Sequence, residues 1–133
     1  MMKQKAVARL AMVLLVFLLP GCGRDSAPDF KKIQNGMTAV LSMSPASPAM
    51  MEPVRLSLTL TDAKGQVLEG ADVKYDLTMP GMAMAPNRPL ATDEGQGLYL
   101  AQATFTMSGD WRAQAVITYS GETTTFTFDF PVE

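Results

Sequence analysis

The feature that most constrains this chain is a period of two. Val54, Leu56, Leu58 and Leu60 alternate with Arg55, Ser57, Thr59 and Thr61. Ala71, Val73, Tyr75, Leu77 and Met79 alternate with Asp72, Lys74, Asp76 and Thr78. The same rhythm returns at Tyr99–Ala101–Ala103–Phe105, at Trp111–Ala113–Ala115–Ile117–Tyr119 and at Phe126–Phe128–Phe130. Side chains on a strand point to opposite faces in turn, so each set predicts a strand buried on one face and wet on the other. Between the sets stand "DAKGQ", "DEGQG", "SGD" and "SGE", whose Gly and Asp residues turn the chain. No segment after the N-terminal apolar run carries a convincing 3.6-residue pattern. With a strand near Met37–Met43 and a short one near Pro89–Thr92, the expectation is all-β. Its form is an immunoglobulin-like antiparallel β-sandwich of about seven strands.

The start of the chain is different. "MMKQKAVARLAMVLLVFLLPGCGR" has a basic beginning, an apolar run from Leu10 to Leu19 and small residues at its end. Those are the parts of an export signal. The run is about ten residues, short of the roughly 20 that a spanning helix needs. "LPGC", Leu19 to Cys22, resembles the lipobox of bacterial lipoproteins, in which the cysteine becomes the lipidated first residue. The alternative is a simple signal with an incidental cysteine. Cys22 is the only cysteine, so an intrachain disulfide is excluded. Gly23 follows it, which by the sorting rule of that class favours the outer membrane. The expected division is a signal at 1–21, a lipidated tether at 22–32 and a β-sandwich domain at 33–133. The expected location is an exported chain anchored in the periplasm by lipid on Cys22.

From Cys22 onward the chain carries 8 Lys plus Arg against 13 Asp plus Glu, a net charge of −5. A small acidic domain lacks the basic footprint that nucleic acid requires, so no nucleic-acid partner is expected. There is no histidine in the sequence, which excludes histidine-dependent triads and zinc sites. Asp62, Asp72, Asp76, Asp93, Glu94 and Asp110 fall on outward phases or in turns, where carboxylates are solvated or cap the backbone. Trp111 falls on an inward phase as a core anchor. The chain is expected not to be an enzyme.

Three stretches in order, "GQVLEGADVKYDLTMPGMAM", "GLYLAQATFTMSGDW" and "TTTFTFDFPV", make the chain similar to the YtkA-like and FixH-like domains. These are small extracytoplasmic immunoglobulin-like modules. The resemblance spans roughly Ile33 to Val132. It implies a setting of copper and heavy-metal handling or haem–copper oxidase assembly, and so a metal-transport or oxidase-assembly membrane complex as partner. Many of the proteins it resembles place a histidine near the M-P-x-M turn. Here that turn, Met79-Pro80-Gly81-Met82, has only sulfur beside it.

Methionine is the residue type left to explain. Eight follow Cys22: Met37, Met43, Met50, Met51, Met79, Met82, Met84 and Met107. Thioether sulfur is soft, suits Cu(I) and needs no deprotonation to bind. In an up-and-down antiparallel arrangement, three connections share one end of the sandwich. They hold Met43, Met50 and Met51, then Met79, Met82 and Met84, then Met107. Only Met37 would lie elsewhere. Three readings stay open for this pole: a Cu(I) site, a metal-free face that docks on a membrane complex, and a flexible plug for the open end of the core.

Overall fold

The computed structural model describes residues 29–133. Eight strands follow one another: β1 (Phe30–Gln34), β2 (Met37–Ser44), β3 (Pro53–Thr61), β4 (Asp72–Thr78), β5 (Thr92–Asp93), β6 (Leu98–Thr104), β7 (Gly109–Tyr119) and β8 (Glu122–Val132). They form a five-stranded sheet in the order β1-β2-β3-β6-β5 and a three-stranded sheet in the order β4-β7-β8. All pairings are antiparallel. Setting β1 aside, the remaining four and three strands have the ABED and CFG orders of a constant-type immunoglobulin domain. The fold is an all-β, immunoglobulin-like sandwich.

The alternation of the sequence supplies its core. Val54, Leu56, Leu58 and Leu60 of β3 are fully buried, and across the sandwich so are Trp111, Ala113, Ala115 and Ile117 of β7. Size is matched within the second sheet: Ala113 stands opposite Phe128 and Ala115 opposite Phe126. The small residue leaves the space that the neighbouring ring fills, so both strands bury apolar surface at native density.

Three expectations change. Residues 30–32, assigned above to the tether, belong to β1, which returns through Asn35-Gly36 to pair with β2. Phe30 crosses to the other sheet, its ring 6.5 Å from Phe128 and 6.3 Å from Phe130. The packing of this half-buried ring ties the strand to the sandwich, a contact between distant segments that periodicity over "FKKIQ" does not show. The second change concerns the short strand expected at Pro89–Thr92. The chain runs antiparallel along the edge of β4 from Asn87 to Ala91, with Leu77 and Tyr75 donating to the Asn87 and Pro89 carbonyls at 2.9 and 3.0 Å. It then switches sheets and pairs with β6 at Thr92–Asp93. Proline, which cannot donate, is tolerated on such an edge. Third, the topology is not up-and-down, because β3 pairs with β6 while β4 belongs to the other sheet. Successive strands still reverse direction when they cross between sheets, so the expected connections share one end regardless.

The opposite end is closed by a tyrosine latch. Tyr99 on β6 donates to the Leu68 carbonyl at 2.7 Å and accepts from the Ala71 amide at 3.0 Å, fixing the β3–β4 connection. Gly97 makes that approach possible. Its φ is +74°, and a Cβ there would meet the Leu60 carbonyl oxygen at 2.7 Å.

Candidate functional site: a methionine pole

Hydrogen bonds between connections define the pole. Met50 donates to the Glu133 carbonyl and Glu133 to that of Pro48, joining the β2–β3 connection to the end of β8. Met51 donates to the Phe105 carbonyl at 2.8 Å, joining it to the β6–β7 connection. Asn87 Nδ2 donates to the Thr104 carbonyl at 3.0 Å, joining the β4–β5 connection to the same point. Trp111 Nε1 closes the β6–β7 connection on itself by donating to the Met107 carbonyl at 2.9 Å. Met43, Met50, Met51, Met79, Met82, Met84 and Met107 all belong to this end, and Met37 lies at the other.

The seven do not share one environment. Met43 and Met79 are buried in the core. Met43 shares a cleft with Phe30, Pro48 and Phe130. The Met79 methyl occupies the space a side chain at Gly109 would need, 2.8 Å from the position of its Cβ. Phe105 completes this floor, stacked edge-on against Trp111 at 4.9 Å and Phe130 at 5.5 Å. Met50 and Met51 lie outside it, 47% and 66% exposed. Neither member of this adjacent pair points into the core. Their amides are tied on both sides, Met51 has a φ of 63°, and the aromatic floor already fills the interior.

Met82 and Met84 are placed by a turn. Pro80 presets the first central position, Gly81 takes a φ of +80° at the second, and Met82 donates to the Met79 carbonyl at 3.1 Å. This is the residue pattern of a type II turn. It leaves Met82 52% exposed at the tip. Two residues on, the chain folds back so that Met84 Sδ accepts from the Met79 amide at 3.3 Å. A thioether is a weak acceptor, so this bond orients the sulfur more than it stabilises the turn.

Met84 and Met107 both line a groove of about 460 Å³, walled by Ala83, Ala85, Pro86, Asn87, Thr104 and Thr106. None of the eight carries a charge. Asn87 and Thr104 had no signal in the sequence; their place in the wall follows from the bond that joins their two connections. Of the sulfurs expected at a shared site, only those of Met84 and Met107 belong to residues lining the groove; Met79 is joined to it through its amide, and Met82 lies at the tip of the preceding turn. Met50 and Met51 do not line the groove, and Met43 is buried in the core. Cys22, the signal and most of the tether lie outside the described residues.

Carboxylates take no part. Asp62 Oδ1 accepts from the Lys64 and Gln66 amides at 2.8 and 2.9 Å. Asp93 accepts from Gly95 and Gly70 at 2.8 and 2.9 Å. Both act as turn caps at the far end. Asp129, exposed beside the Arg112 guanidinium at 2.8 Å, has its acidity strengthened by that hydrogen bond. Among the described residues, no group of three His, Cys, Asp or Glu side chains could hold a metal ion.

Fold and pole together define an immunoglobulin-like module whose distinctive surface is its methionine-bearing end. Residues 31–116 match the family described as YtkA-like, and the chain belongs to that family. No curated protein matches the chain. Among solved structures it is similar to a DUF4426 family protein from Pseudomonas aeruginosa. That likeness has a TM-score of 0.57 and 14% identity, covering 77% of this chain and 93% of that one. At such identity the likeness concerns the fold alone.

Proposed function

We propose that this chain is an exported, lipid-anchored periplasmic module that binds Cu(I) through its methionine pole, in the service of copper handling or oxidase assembly. One observation carries the proposal: Met84 and Met107 line a single uncharged groove, and the Met84 sulfur is already oriented by the Met79 amide. Neutral thioethers suit a soft monovalent ion and offer little to Mg²⁺ or Ca²⁺, which take oxygen donors, or to Zn²⁺, which takes thiolate, imidazole or carboxylate donors. Met82, exposed at the tip of the same turn, is free to complete a sulfur set. Met43 and Met79 serve as packing.

Anaerobic competition for Cu(I) against a chromophoric chelator tests this. The soluble domain is expected to retain copper, a Met84→Leu/Met107→Leu variant to lose it, and a Met50→Leu/Met51→Leu variant to behave as the parent. Equal, negligible retention by all three would sink the metal reading. The rival reading is a metal-free docking face, favoured by the exposure of Met50 and Met51 away from the groove.

A further inference from the structure

The described chain begins at the methionine pole. Phe30 pairs with Leu41, three residues before the end of β2. Its side chain lies in a small cleft with Ala46, Ser47 and Pro48 of the pole and with Glu133. Asp29, one residue nearer the tip, bonds to Ser42 on β2. From Asp29 back to Cys22 is seven residue steps. At 3.3–3.6 Å per residue these reach about 25 Å when fully extended. As a flexible coil they span about 15 Å. The 11-residue strands β7 and β8 make the sandwich about 35 Å long. Along β1 the Asn35-Gly36 turn lies six residue steps from Asp29, about 20 Å, so the relaxed tether falls short of the far end and only a fully stretched one would bring that turn against a membrane.

We infer that the anchor holds the methionine pole facing the bilayer, and that the pole docks on a protein embedded in that same membrane whose docking face is apolar at its centre and basic at its rim. The inference rests on the lipid attachment proposed above, not on copper. Exposed apolar side chains gather here: Met50, Met51 and Met82 are all at this end, while Ile33, Val67 and Leu90 are dispersed. Around them stand the acidic residues Asp29, Glu52, Asp110 and Glu133. Of the nearby cations, Arg112 is paired with Asp129, Arg88 lies 3.6 Å from Asp76 and Arg55 is exposed opposite Ser44, so that with Asp76 and Asp129 counted six acidic residues stand against three arginines. An acidic rim is repelled by anionic lipid, which attracts basic segments, so the lipid surface itself is the poorer occupant. Short tethering raises the effective concentration of any partner in the membrane plane and withholds the pole from soluble carriers.

The full lipidated chain, labelled at Met51→Cys or Ser120→Cys, is reconstituted without metal in vesicles of phosphatidylethanolamine with a minority of phosphatidylglycerol. Nitroxide on lipid headgroups should quench the pole label and leave the Ser120 label unquenched. Equal quenching, or stronger quenching of the far label, overturns the orientation. Quenching of the pole label by nitroxide deep in the acyl chains overturns the protein occupant in favour of lipid. In cells, a photocrosslinker at Met51 or Met82 should give adducts with an integral membrane protein. Those adducts should be lost when a long Gly/Ser spacer follows Cys22, and absent from Ser120. Adducts that are soluble, or indifferent to the spacer, overturn the docking claim. Because no step uses copper, failure of the metal reading leaves these results intact.

Discussion

Two tyrosines, changed identically, should move stability in opposite directions. Tyr99→Phe removes a hydroxyl that donates to the buried Leu68 carbonyl at 2.7 Å and accepts from the half-buried Ala71 amide at 3.0 Å. A buried polar group left unpaired costs roughly 1–3 kcal/mol. Discounting the partly wet Ala71 amide, the expected loss is about 2–3 kcal/mol. Tyr75 on β4 is also buried, but its hydroxyl has no partner. Tyr75→Phe removes a desolvated oxygen that gives nothing back, and should be neutral or stabilising by about 1 kcal/mol. Urea unfolding of the soluble domain at constant pH reads both. With a slope of about 1–3 kcal/mol per molar urea, the two midpoints should separate by about 2 M, with slopes unchanged. A Tyr75→Phe midpoint well below the parent would show a partner for that hydroxyl and refute the reasoning; so would equal shifts.

Burial also pushes the Tyr75 hydroxyl above its ordinary value of 10.0. The unfolded chain therefore ionises first. Below about pH 10 the group's ionisation leaves stability unchanged, and as the pH rises above it the folded state loses stability to the more readily ionised unfolded chain. Alkaline unfolding followed by near-UV absorbance should begin at lower pH in the parent than in Tyr75→Phe. At the pole, Met79→Ala should cost about 2–4 kcal/mol in thermal or urea unfolding, because it empties space the core has closed around. Met82→Ala, on an exposed side chain, should stay within about 0.5 kcal/mol of the parent in the same assay. Gly97→Ala should cost more than 1 kcal/mol, since it combines a positive φ with a clash against backbone; a folded variant with unchanged midpoint would contradict the close approach. Cys22→Ser should abolish palmitate labelling and release the chain from the membrane fraction, and unchanged fractionation would count against the lipobox.

Much of this was legible in the sequence because strand periodicity is local. Val54 to Leu60, Val73 to Leu77 and Phe126 to Phe130 each announce a buried face through their own spacing. The turn at Pro80-Gly81 needs only those two residues, and the core position of Met79 only its phase. The absence of histidine likewise limits any metal site at the pole to sulfur and oxygen donors before a fold is known. Other features were not local. β1 exists because Phe30 reaches Phe128 and Phe130, about a hundred residues away in the chain. The segment after Asn87 pairs first with β4 and then with β6, a choice between two sheet edges that prolines restrict but do not decide.

The methionines mark the boundary between the two kinds of information. Sequence determined their number, their connections and, through alternating strand direction, their collection at one end. Only the tertiary structure sorted them. An aromatic floor of Phe105, Trp111 and Phe130 fills the interior of the pole, leaving Met43 and Met79 as packing and excluding Met50 and Met51. One side-chain bond, Asn87 to Thr104, draws two connections together and gives Met84 and Met107 a common groove. Whether a flexible thioether is core, wall or surface depends on what already occupies the space beside it, and that is settled by contacts between segments far apart in the chain.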